Sequence, residues 1–191
     1  MVKMNKKIIG VVACSAVAAS MAIGASASDE LIKVGYAQVG HESDWRTANT
    51  QNYQDVFSEE NGYELSFVDC DNDNAAQIEA VRNFINQELD YIVIAPIQSA
   101  GWDTVLQEAQ DAGIPVIIAD REIEASDDLY DAWVGTNTTN EGITAGNWLA
   151  EYLGDKDANI LVIEGSVGAS AALGRTNGFN QVAEEHDNWK I

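Results

Sequence analysis

Cysteine is nearly absent from this chain: of 191 residues only Cys14 and Cys70 carry a thiol, and Cys14 lies in a stretch that reads as a removable leader. With one cysteine beyond that leader, no internal disulfide forms and no cysteine-based zinc site assembles. Histidine is as scarce. His41 and His186 stand far apart, without H-x-x-x-H spacing, which argues against a histidine metal centre. Basic residues number ten against 31 acidic ones, for a formal charge of −21. This balance repels nucleic acid and anionic membrane surfaces, and its plain meaning is a solvated, soluble exterior.

Signature motifs are missing too. The segment "GYAQVGHESDW" contains no G-x-G-x-x-G, and G-x-x-x-x-G-K-[ST] occurs nowhere, so no phosphate cradle and no nucleotide cofactor are expected. The glycines of "GSVGAS" (165–170) read as a strand-to-helix turn. There is no G-x-S-x-G elbow, and His41 beside Ser43 is a weak case for a nucleophile and its base. "DCDNDNAAQIEA" (69–80) imitates a calcium loop with Asp69, Asp71 and Asp73, but Asn74 stands where glycine belongs and Ala80 where the bidentate glutamate belongs. It reads as a solvated helix start, and no metal is expected.

The N-terminus carries Lys3, Lys6 and Lys7, then an uncharged run of apolar and small residues, then "ASAS". That order is an export signal, assigned to residues 1–27 and removed near Ser28. An alternative is a lipoprotein, with "VVAC" as the lipidation box and Cys14 as the anchored residue.

Beyond the leader, apolar periodicity switches between two and about 3.6 residues. "LIKVGYAQ" (31–38), "YELSFVD" (63–69), "YIVIAP" (91–96), "VIIAD" (116–120) and "NILVIEG" (159–165) read as strands, with "AWVGT" (132–136) a weaker one. Between them lie helices. Asn74 with Gln77 suggests a capping box, after which Ile78, Val81, Ile85 and Leu89 share one face. Gly62 and Gly113 sit where left-handed helix ends are needed, and Pro115 stops the second helix from continuing. The pattern predicts an α/β fold, a doubly wound parallel sheet, since parallel crossovers need a helix-sized connection.

Ligands of such sheets bind at the carboxyl ends of the strands. Three loops converge there: "QVGHESDWR", "APIQSAGW" and the Asp120-Arg121 pair. A sugar hydroxyl donates and accepts at once, so a carboxylate and a guanidinium are its natural partners, and Trp45 offers a flat face for the C–H side of the ring. The bland alternative has Asp120 and Arg121 paired with each other and Trp45 in the core.

Taken together, "ESDWR", "IAPIQSAGW", "IPVIIADR", "GTNTTNEG" and "EGSVGASAALGRTNGF" resemble the type I periplasmic sugar-binding proteins of ABC transporters, in the ribose-binding group. The likeness is strongest to the galactofuranose-binding branch, whose first loop also has a Ser-x-Trp-Arg. The resemblance implies Glu42, Ser43, Trp45, Arg46, Asp120, Arg121, Asn137 and Arg175 as sugar contacts. It implies a first lobe over residues 28–136 and the start of a second, truncated lobe over 137–191. A monomeric, non-enzymatic protein is expected, which captures a monosaccharide outside the membrane, without a cofactor, and hands it to an ABC permease. Three departures bear on the substrate. Asp44 stands where that branch has glycine, Ala95 where ribose binders have asparagine, and His41 where a small residue is usual. A sugar-sensing domain of a regulator or receptor, or a sugar-modifying enzyme, are the competing functions.

Overall fold

A computed structural model describes residues 30–191. The export leader and the lipoprotein alternative at Cys14 lie outside the described residues.

Five strands form one parallel sheet: β1 (Ile32–Gln38), β2 (Tyr63–Asp69), β3 (Tyr91–Ile94), β4 (Val116–Asp120) and β5 (Ala132–Gly135), in the order β2-β1-β3-β4-β5. The connections carry α1 (Asp44–Val56), α2 (Asn74–Asn86) and α3 (Asp103–Asp111). Successive side chains of a strand point to opposite faces. Gly35 lies under Phe84 of α2, while its neighbour Tyr36 stacks on Tyr53 of α1 with ring centroids 4.0 Å apart. Helices therefore cover both faces, and the predicted doubly wound fold is the observed one. The central strands are apolar on both sides for that reason: Val34, Tyr36, Ile92, Ile94 and Ile118 are all buried.

The strand order reverses between β1 and β3, which is the switch point where such sheets open a crevice. One side chain holds it. Gln77 of α2 is fully buried; its Nε2 donates to the Ala37 carbonyl at 3.2 Å and to the Ala95 carbonyl at 2.7 Å, and its Oε1 accepts from Ile97 N at 2.9 Å. This corrects the expected capping box. Asp73, one residue earlier, caps α2 by accepting from Ala75 N and Ala76 N, which frees Gln77 for the sheet. The buried face of α2 is Gln77, Ala80, Val81 and Phe84; of the expected set Val81 belongs to it, Ile78 and Ile85 pack against the core partly buried, and Leu89 is buried just beyond the helix.

The rest of the chain forms α4 (Thr138–Leu153) and α5 (Ser170–Ala183), with β6 (Ala158–Asn159) and β7 (Trp189–Lys190) as a two-stranded parallel pair. The two helices touch backbone to backbone because glycines face each other at four-residue spacing on both. A Cβ on Gly142 would collide with the Arg175 carbonyl, one on Gly178 with the Thr139 carbonyl, and one on Gly146 would lie 2.8 Å from Val182 Cβ. The strand expected over 159–165 is a second correction. Only its first two residues meet β7, Asn159 as the ladder partner of Lys190 and Ile160 N donating to the Lys190 carbonyl at 2.7 Å, and Leu161 and Ile163 stand 87% and 89% exposed. An apolar run becomes a strand only where a neighbour satisfies its backbone, and among the described residues β7 is too short to do so.

Candidate functional site

The first loop ends at Ser43, whose hydroxyl accepts from Arg46 N at 3.1 Å and so starts α1. The helix then turns Arg46 inward. Its guanidinium is 3% exposed, with Nη2 donating to Asp120 Oδ2 at 2.7 Å and Nε to Glu42 Oε1 at 3.3 Å. Nη1 is enclosed and has no partner among the described residues. A buried donor left open beside two carboxylates is a place where a ligand oxygen repays its own desolvation.

Asp120 and Arg121 do not pair with each other. Asp120 has φ +65°, and Arg121 N donates across it to the Ala119 carbonyl at 2.8 Å, a tight three-residue turn. A positive φ on a non-glycine residue costs roughly 1 to 2 kcal/mol, and such strain clusters at binding sites. The turn throws the two charges apart. Asp120 reaches Arg46, whereas Arg121 turns to the loop after β3, where its Nη1 donates to the Pro96 and Ile97 carbonyls at 3.3 and 3.5 Å. Glu42 lies 3.7 Å from Arg121 as well, which produces an alternating row Asp120, Arg46, Glu42, Arg121. Burial, and then the neighbouring Arg46 charge, depress the Arg121 guanidinium below its ordinary range, although it stays charged.

Trp45 is 58% exposed, so it is no core residue, and the Arg46 guanidinium carbon sits 4.9 Å from its ring centre. It lines a cleft of about 440 Å³ with Asp120, Asn49, Gly135 and Thr136. Arg121 and Arg175 line a different and larger one, of about 820 Å³, whose walls are mostly the apolar side chains of α4, α5 and residues 160–163. Recognition chemistry lies in the polar groups rather than in the volume: Arg121 belongs to the row and also lines the larger cleft, where Glu141 and Arg175 join it.

Six of the expected residues, Glu42, Ser43, Trp45, Arg46, Asp120 and Arg121, are thus brought together. Arg175 stands across from them on α5, held by a 2.8 Å bond from its Nε to Glu141 Oε2, while Thr136 Oγ1 donates to the other oxygen of Glu141. These two partners hold the Glu141 carboxyl below its usual range. Asn137 is the N-cap of α4, its side-chain oxygen accepting from Asn140 N at 2.9 Å. Sequence reasoning missed Gln77, Glu141 and the Pro96 and Ile97 carbonyls. A lone glutamine on an apolar helix face was the one signal available for the first.

In the calcium-like segment two of the three carboxylates, those of Asp69 and Asp73, are occupied. Asp69 receives Asp71 N and contacts His41 Nδ1 at 2.9 Å, and Asp73 caps α2. Among the described residues no group of three or more His, Cys, Asp or Glu is placed to hold a metal. Cys70 is buried, and that burial pushes its thiol up to about 12.

A family profile described as a periplasmic binding protein domain matches residues 34–191, and the chain belongs to that family. It is 40% identical over 189 residues to the galactofuranose-binding protein YtfQ of Escherichia coli K12, a match covering 98% of this chain and 58% of that protein. Among solved structures it resembles a galactofuranose binding protein, with a TM-score of 0.79 at 40% identity over 84% of this chain and 54% of that one. It also resembles the periplasmic binding protein of the arabinose ABC transporter from Shewanella sp. ANA-3, solved with α- and β-L-arabinofuranose. There the TM-score is 0.77 at 41% identity, over 83% of this chain and 52% of that one. The chain spans 58% of the length of that curated relative.

Proposed function

We propose that the chain belongs to an extracytoplasmic solute-binding protein which captures a monosaccharide in its five-membered-ring form for an ABC permease. The observation that carries this reading is the buried, open Nη1 of Arg46 within the row Asp120, Arg46, Glu42, Arg121, beside the exposed face of Trp45. A furanose presents adjacent hydroxyls on one edge and a C–H face on the other, and the row supplies directional donors and acceptors for the edge. Similarity to proteins named for galactofuranose and arabinose supports the ring form.

On this reading residues 28–136 are a first lobe, and residues 137–191 belong to a second, which brings Arg175 to the opposite side of the sugar. Binding, rather than catalysis, is the role that membership of a family of binding proteins supports, and its relatives support export. The working form is taken to be a monomer.

The test is a nuclear magnetic resonance titration of the purified chain with methyl β-D-galactofuranoside, L-arabinose, D-ribose and D-glucose, which registers weak binding. The Trp45 indole and Arg46 side-chain signals should move with the first two sugars at lower concentration than with glucose. If no sugar moves either signal at the highest concentration the sample tolerates, the reading is wrong.

A further inference from the structure

On one side of the crevice three loop segments meet at Ser99. Its backbone N–H donates to the Gly168 carbonyl at 2.8 Å, and its own carbonyl accepts from Glu124 N at 2.7 Å. Its hydroxyl donates to Glu124 Oε1 at 2.8 Å. Ser99 is 4% exposed although it lies on a loop. The loop after β3, which holds Arg121 through Pro96 and Ile97, is thereby pinned to the loop after β4. The same residue reaches over to the segment that leads into α5 and Arg175.

The two halves of this knot differ in strength. Ser99 and Glu124 share two hydrogen bonds within the unit of the five-stranded sheet. The link to Gly168 is one backbone bond, contributing about 0.5 to 1.5 kcal/mol. Little burial reinforces it: in residues 160–169 only Ala169 is buried, and Val167, next to Gly168, is 92% exposed. Like charge on Arg121 and Arg175 opposes the approach of the two sides. Gly168, at φ +78°, takes a conformation that favours glycine and turns its carbonyl toward Ser99.

We propose that the Ser99–Gly168 bond is a closing latch. It forms when the two lobes shut over a bound sugar and breaks when they part, and Glu124 holds Ser99 in the receiving geometry. A contact this small is matched to reversible closure, since a larger apolar one would hold the lobes shut without ligand. The latch rests on the two-lobed sugar-binding reading, and its test separates the two ideas.

The first measurement needs no sugar. Amide hydrogen exchange in the wild-type chain should be about tenfold or more faster at Ser99, which bonds across the gap, than at Glu124, which bonds within its own unit. Equal protection of the two amides overturns the latch, because the contact would then be fixed packing.

The second measurement cross-links it. A Cβ built on Gly168 lies 3.9 Å from Gln98 Cβ, within the spacing of about 3.5 to 4.5 Å that a disulfide requires. The chain with Gln98→Cys and Gly168→Cys, and with Cys14→Ser, should form that bond on mild oxidation, and buried Cys70 should not compete. Loaded with methyl β-D-galactofuranoside and then oxidised, it should release the sugar about tenfold more slowly than its reduced form. Release at the same rate in both forms overturns the latch. If the reduced protein binds no sugar but Ser99 still exchanges fast, the sugar reading fails and the latch stands as a contact between lobes.

Discussion

Arg46 and Asp120, 74 positions apart in the chain, share a 2.7 Å bond at the carboxyl edge of the sheet, and the arginine is the more deeply buried of the two. The carboxylate therefore has two tasks, compensating a buried cation and facing the crevice. Removing one partner of a buried ion pair costs about 3 to 5 kcal/mol, less where, as here, one partner is partly open to water.

Asp120→Ala is accordingly expected to lower stability by about 3 kcal/mol, from the stranded guanidinium and from alanine at a positive φ together. Asp120→Asn keeps an acceptor and tolerates that backbone, so it should cost about 1 to 2 kcal/mol. Urea unfolding of the three proteins decides the matter. Equal losses in both variants would mean that the charge, which both remove, accounts for the whole effect and that neither the retained acceptor nor the backbone conformation matters there.

Trp45 gives the contrasting case. Its ring is largely exposed and, among the described residues, its cation–π contact is with the Arg46 guanidinium, so Trp45→Ala should change stability by no more than about 1 kcal/mol. The galactofuranoside shifts at Arg46 should weaken or vanish in the same variant. A large loss of stability with the titration unchanged would remove Trp45 from the site.

Gln77 is fully buried and meets the site through the Ile97 backbone, whose N–H donates to its Oε1 at 2.9 Å. Gln77→Leu keeps much of the volume but leaves Ile97 N and the Ala95 carbonyl without their partner, at about 1 to 3 kcal/mol for each buried group that water cannot reach, while the Ala37 carbonyl keeps its bond from Ala95 N. The expected loss is about 3 kcal/mol, and the Arg121 side-chain signals should shift, because the Pro96 and Ile97 carbonyls that hold Arg121 are released. A shift confined to α2 would show that the glutamine supports the helix rather than the loop.

These residues show what a sequence discloses and what it withholds. β2 and β4 begin and end as their alternation implies, and Gly62 and Gly113 take the positive φ expected of them. Each depends on its own few neighbours. The cap of α2 was misplaced by one position because Asp73 and Asn74 are both good caps, and the choice belongs to Gln77, which the sheet recruits. "DR" at 120–121 and "ESDWR" at 42–46 both point to the site, but which charge meets which depends on how the fold sets these loops against each other, so the order of the row Asp120, Arg46, Glu42, Arg121 is not legible in the sequence. Residues 160–165 have a strand's composition and lack a strand's neighbour. The paired G-x-x-x-G spacings of α4 and α5, by contrast, are legible in the sequence and mark where the two helices touch.

Those glycines lead to a graded expectation. Gly178→Ala puts a methyl against the Thr139 carbonyl, which belongs to a helix backbone and cannot swing aside. It should cost about 1 to 3 kcal/mol as α4 and α5 are forced apart, and the Arg175–Glu141 bond should loosen with them. Gly165→Ala meets nothing nearer than 3.7 Å and should be nearly neutral. Thermal unfolding of both variants makes the comparison, and equal effects would show that the close approach of the helices carries no energy.

The last expectation concerns His41, which joins the first loop to the end of β2. The hydrogen bond to Asp69 and then its charge raise the His41 pKa above the ordinary value, with Asp71 and Glu42 adding to the effect against slight desolvation. A folded value above the unfolded one means that the protonated form is the one the fold favours. The stabilisation is complete below the unfolded value of about 6.5 and is lost as pH rises through the folded one. Since His41 is fully exposed, the effect on stability is small and falls further with salt. Titrating the ring proton should give a midpoint above that of the urea-unfolded chain. Asp69→Asn should bring it down, and Asp71→Asn should do so by less. The wild type should exceed Asp69→Asn in stability more at pH 5 than at pH 9, the order that the raised value requires. A midpoint unmoved by Asp69→Asn, or a difference that grows with pH, would show that the bond between His41 and Asp69 does not form in solution.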